Sequence, residues 1–253
     1  MILGREEYMK KEKNSNLIDL IRLYLGFLFQ KATIIIFSIS LLLIFLIILY
    51  ISNIDLDMNV YLQSYTDIHL TYFTQSFFII QLFNSIIIAT ITISLTINST
   101  TFDTLFISHT SRIRICISKI LATSLVLFLL SLYEILIIMV IPLIRYPMFK
   151  ITSSMYLSII FLFLSTVVET ILSFLISTAL PYIFIPMIYM FISIVIKLLA
   201  NNHTDFKDVI GKVIPMVSIS YKNIYCDAIG LAPVWIVLFM LLYISIYCIK
   251  DIK

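Results

Sequence analysis

Apolar residues run through this chain in blocks of about twenty, with the polar residues gathered between them. The blocks fall at about 33–52, 75–97, 113–143, 155–179, 181–199 and 229–249, and are mostly Ile, Leu, Phe and Val. About 20 apolar residues of helix cross a hydrocarbon core, so each block predicts a membrane span. A lone segment in lipid satisfies its own backbone N–H and C=O groups only as a helix. The expected fold is an all-α membrane protein of six spans, forming one transmembrane domain over residues 1–253. Thr178-Ala179-Leu180-Pro181 separates the fourth and fifth blocks. Pro181 is expected in the first turn of the fifth helix, where its missing N–H costs nothing.

Two further stretches have a narrower periodicity. Between Leu17 and Lys31, the polar or small positions are Asp19, Arg22, Gly26 and Gln30, with Leu, Ile, Phe or Tyr between them. That spacing predicts a helix lying in the membrane plane with one wet stripe. Phe206, Val209, Ile210, Val213, Ile214 and Val217 follow an i, i+3, i+4 pattern opposite Lys207, Asp208 and Lys212. They predict an amphipathic helix between spans five and six, broken near Pro215.

Composition excludes a soluble domain. Of 253 residues, 61% are hydrophobic and 12% charged, against about 25% charged in soluble domains. The net charge of +3 carries no implication for nucleic acid, because the cations sit where topology requires them. Cys116, Cys226 and Cys248 share no ligand-like spacing with His69, His109 or His203, and read as small apolar fillers. The first apolar block lacks a small-residue cleavage site, so it is expected as a retained span.

Orientation follows from Lys and Arg. An inside N-terminus places Arg5, Lys10, Lys11, Lys13, Arg22, Lys31, Arg112, Arg114, Lys119, Lys250 and Lys253 in the cytoplasm. Six cations remain outside: Arg145, Lys150, Lys197, Lys207, Lys212 and Lys222. The stretch from Ser52 to Gln75, read as an outside loop, holds Asp55, Asp57 and Asp67 and no cation. Both termini are expected in the cytoplasm.

Two acids fall inside predicted spans, Glu134 in the third and Glu169 in the fourth. An ionisable group there costs about 2.5–3.5 kcal/mol on insertion scales, so it should face protein or water. Ser165, Glu169, Ser173 and Ser177 form an i+4 ladder, and Ser124, Ser131 and Glu134 share a face. Gln81, Ser85, Ala89, Thr92 and Thr96 make a third stripe. Such stripes glue helices together in lipid; alternatively Glu134, Glu169 and Gln81 line a substrate path. No paired catalytic carboxylates, HExxH, GxSxG or phosphate-loop motif occurs in the chain, which has glycine only at positions 4, 26, 211 and 230. Neither catalysis nor nucleotide hydrolysis is expected in this chain.

The segment TTFDTLFISHTSRIRICISKILA, residues 101–123, is dense in charge and lies between spans two and three. As a positive-inside anchor, Arg112, Arg114 and Lys119 would merely fix topology. The order of residues resembles the coupling loop of type-2 ABC exporter permeases, whose pattern runs Gly-Thr-x-Glu-x-Leu-Leu, then Ser-Arg, then Lys-Leu. Thr101, Asp103, Leu105, Phe106, Ser111, Arg112 and Lys119 take the matching positions. The chain departs from the pattern in having Thr100 for the Gly, Asp103 for the Glu and His109 for a Pro. The resemblance implies a short cytoplasmic coupling helix that docks in a separate ATPase subunit. Leu105 and Phe106 would anchor it, Asp103 would favour its N-terminal dipole, and Arg112 would pair at the rim. It further implies a dimer with an identical or related permease in a bacterial cytoplasmic membrane. ATP and magnesium would be bound by the partner, with no cofactor in this chain. The function expected is export of an amphipathic or hydrophobic substrate such as an antimicrobial peptide. The alternative is an ATP-independent membrane binding or resistance protein.

Overall fold

The computed structural model describes residues 17–59, 65–107, 111–145, 153–180, 182, 184–202 and 226–249. Seven α-helices make up these residues: α1 (Leu17–Leu28), α2 (Lys31–Asn59), α3 (Tyr65–Ile107), α4 (Arg112–Arg145), α5 (Ser153–Ala179), α6 (Ile185–Asn202) and α7 (Cys226–Ile249). Five of them, α2, α3, α4, α5 and α7, are long and apolar enough to cross a membrane. The chain is a multi-pass helical membrane protein.

A helix forms where the spacing between Leu17 and Lys31 predicts one. Leu20, Tyr24, Phe27 and Leu28 are buried, while Asp19, Arg22, Gly26 and Gln30 face outward. α1 packs on α4 and α3. Ser94 on α3 donates its hydroxyl to the Phe27 carbonyl at 2.9 Å, satisfying an orphan carbonyl of the last turn of α1.

Three expectations need correction. Ser52 to Gln75 is not one long loop: α2 continues to Asn59 and α3 begins at Tyr65. No proline or glycine interrupts those residues, so nothing stops either helix early. For the same reason no separate coupling helix forms over 101–107, which are the last turns of α3. The position where the resembling family has glycine is Thr100 here, and the helix runs through it. The fifth span begins later than predicted: α6 starts at Ile185, with Pro186 rather than Pro181 in its first turn. Its 18 residues reach about 27 Å, just short of the ~30 Å core. Pro181, His109 and the predicted helix at 206–217 lie outside the described residues.

The start of α4 was legible. Ser111 caps it, its hydroxyl accepting from the Arg114 N–H at 3.4 Å. From there 34 residues extend about 51 Å.

The interior is layered. One apolar cluster joins Leu20, Tyr24 and Phe27 to Ile87, Ile91, Leu95, Ile115, Leu130, Phe174 and Tyr243. A second joins Ile44, Ile48, Tyr72, Phe77, Ile80, Ile137 and Leu162. Along α3 the second cluster ends at Ile80 and the first begins at Ile87. Between them stand Gln81, Asn84 and Ser85, all buried. α4 repeats the order with Leu130, Glu134 and Ile137, and α5 with Phe174, Glu169 and Leu162. A polar layer thus separates two apolar ones.

Candidate functional site

The polar layer is built by i+4 ladders on facing helices, because residues four apart share one face. α3 contributes Gln81 and Ser85, α5 contributes Ser165, Glu169 and Ser173, and α6 contributes Tyr189, Ser193 and Lys197. The α6 ladder meets the other two around Glu169. Lys197 Nζ lies 2.8 Å from Glu169 Oε2, with both side chains 3% exposed. The ammonium also donates to Ser85 Oγ at 2.6 Å and to the Gln81 carbonyl at 2.9 Å. All three of its N–H donors are therefore engaged. The other oxygen of the carboxylate, Oε1, accepts from Ser85 at 2.9 Å and from the Ser193 hydroxyl. Tyr189 donates to the Glu169 backbone carbonyl at 3.3 Å.

This arrangement corrects the assignment of Lys197 to the outside. Lys197 lies 12 residues into α6, about 18 Å from its start. Glu169 lies ten residues, about 15 Å, before the end of α5. Glu169 is near the middle of its helix, and Lys197 is about two-thirds along α6, still within its apolar stretch. A lysine survives there because a carboxylate and two further acceptors replace its water.

Glu134 is the other buried acid among the described residues and is 0% exposed. Asn84 Nδ2 reaches its Oε2 at 3.4 Å and Thr166 Oγ1 at 3.5 Å, so Asn84 stands between α4 and α5. Among the described residues Glu134 Oε1 has no hydrogen-bond partner, and neither does Gln81 Nε2 one turn from Asn84. Below this layer, Thr92 and Ser173 share a hydrogen bond at 2.9 Å. Ser177 is buried without a side-chain partner.

The described residues of the 101–123 segment lie toward one end of the bundle. Thr101, Asp103, Leu105 and Phe106 belong to the last turns of α3. Ser111 is exposed and Arg112 half-buried. Arg112 Nη1 donates to the Cys248 carbonyl at 2.6 Å, a cation on the last turn of α7, where the helix dipole favours one. Lys119 is buried, its Nζ 5.4 Å from the ring centroid of Tyr24 and 5.2 Å from that of Tyr247. A cation over two aromatic faces is held electrostatically. The start of α4 is thereby joined to α1 and to the end of α7.

Of the path residues predicted, Glu169 and Gln81 are brought together around Lys197, and Glu134 is placed beside Asn84. Lys197, Ser193, Asn84 and Thr166 were missed. The Tyr189-Ser193-Lys197 ladder was visible as spacing, but counting Lys197 among the outside cations hid it.

Fold and polar layer define a helical membrane protein with a charged interior. No protein-family model matches the chain, and no curated protein matches it.

Proposed function

We propose that this chain is the permease subunit of an ATP-binding-cassette exporter, driven by a separate ATPase subunit and paired with an identical or related permease. The observation that carries the reading is the continuity of α3. One unbroken helix of 43 residues bears both the polar layer at Gln81–Ser85 and the coupling-like residues 101–107. Ser85 and Thr101 are 16 residues apart, about 24 Å along one rod. A push on the end of α3 is therefore a push on the polar layer, the rigid-body mode by which packed elements relay motion. α6 serves as the remaining, short span of a six-span permease with cytoplasmic termini. The cargo in this reading is amphipathic or hydrophobic and enters from the bilayer, and a hydrophobic peptide is the first class to test.

Co-purification of the tagged chain with the products of neighbouring genes tests the reading. An ATPase is expected in the complex, with ATP hydrolysis stimulated by the cargo; its consistent absence refutes the exporter.

The ATP-independent alternative has one observation in its favour. Arg112 and Lys119 already have partners within the chain, so they need no ATPase to explain them. It expects residues 101–107 to tolerate scrambling as long as Arg112 and Arg114 are kept.

A further inference from the structure

The two buried acids differ in what surrounds them. Glu169 accepts from Lys197, Ser85 and Ser193, so both of its oxygens are engaged. Glu134 is equally buried but receives only the Asn84 amide on one oxygen, and Oε1 has no donor. The buried lysines are committed elsewhere, Lys197 to Glu169 and Lys119 to two tyrosine rings. Among the described residues no cation pairs with Glu134. A carboxyl oxygen left bare in a low-dielectric interior is costly, whereas a charge-assisted hydrogen bond there is strong. Glu134 belongs to the polar layer that the two apolar clusters enclose. Glu134 stands 11 residues before the end of α4, about 17 Å along its axis. A group that binds there must therefore bring an apolar body through hydrocarbon and present a compact donor.

We propose that Glu134, with Asn84 beside it, is a binding site for the primary ammonium group of a cationic amphiphile. The inference rests on the exporter reading only in making that amphiphile the cargo. The site itself belongs to this chain and is tested without an ATPase. The ammonium donates to Oε1 and supplies the charge that Lys197 gives to Glu169. An alkyl body needs no polar partner.

The test uses the full chain in nanodiscs of phosphatidylcholine and phosphatidylglycerol, which carry no primary amine. Binding of dodecylamine, dodecanol and dodecyltrimethylammonium is measured by calorimetry. Dodecylamine should bind at least about tenfold more tightly than dodecanol, as expected for a charged hydrogen bond. The quaternary amine, lacking N–H donors, should fall between them. Glu134→Gln should abolish the preference for the amine and leave dodecanol binding unchanged. Adding phosphatidylethanolamine separates the sources of the amine: competition with dodecylamine would assign the site to a lipid headgroup, and no competition to a free amphiphile. Equal binding of amine and alcohol to the unaltered chain overturns the proposal without any variant. So does an undiminished preference in a well-folded Glu134→Gln protein. Neither outcome bears on whether an ATPase co-purifies, so the two readings fail separately.

Discussion

At Lys197 the side chain has exchanged water for three acceptors: a carboxylate, a hydroxyl and a backbone carbonyl. In such an exchange the pair is tolerated as a unit, and each partner alone is not. Lys197→Met should leave Glu169 a buried, uncompensated charge and destabilise the protein by about 3–5 kcal/mol. Glu169→Gln should cost a similar amount. The double variant should recover most of the loss, because it removes both charges together. Thermal unfolding in detergent checks this, and additive losses in the double variant would mean that the two residues do not form a unit. The acid was legible from its place in the serine ladder, but its partner was not. Hydropathy tolerates one lysine near the end of an apolar block, and counting cations by side sends it to the nearest loop. Only the packing of α6 against α3 and α5 turns Lys197 inward. Asn84 was hidden differently: it falls one residue off the Gln81-Ser85 stripe, and only its position between Glu134 and Thr166 gives it a role.

Helix boundaries followed the same physics at larger scale. The apolar blocks located every long helix, since hydrocarbon length sets their minimum, but nothing in hydropathy marks where a helix ends in water. α2 and α3 therefore overran their blocks, through Asn59 and back to Tyr65. At the other end of α3 the absence of a breaker joined 101–107 to the span. In the exporter reading, that continuity gives residues 101–107 a different mechanical role from a hinged peg. Leu105→Asp lies beyond the span of α3, which ends near Ile97, so membrane insertion should be unaffected. In the exporter reading it removes an apolar anchor, weakening ATPase association by roughly 2 kcal/mol or more and abolishing transport. Arg112→Ala should act on α7 instead. Losing the bond to the Cys248 carbonyl should fray the last turn of α7, at a cost of about 1 kcal/mol. Hydrogen exchange should rise there while α4 stays protected. If Leu105→Asp assembles and exports normally, the segment is an anchor and the coupling role is lost.

The whole molecule gathers α1, the start of α4 and the end of α7 at one end, through Lys119 between Tyr24 and Tyr247 and through Arg112 on Cys248. Two apolar clusters then close the polar layer from either side. The ends of the bundle are thus chemically distinct, and the exporter reading requires the Arg112 end to face the cytoplasm, as the cation count predicts. Single cysteines at Ser111 and Gln30, both exposed, should report the same side despite lying 81 positions apart in sequence. With Cys116, Cys226 and Cys248 replaced by alanine, a membrane-impermeant maleimide should leave both sites unlabelled in intact cells. It should label both after permeabilisation. Labelling of both in intact cells would invert the protein in the membrane and put residues 101–112 out of reach of any cytoplasmic ATPase. Labelling of one alone would separate α1 from the start of α4, contradicting the contact between Tyr24 and Lys119. The experiment thus tests the packing and the orientation independently, since the first requires only that the two positions agree.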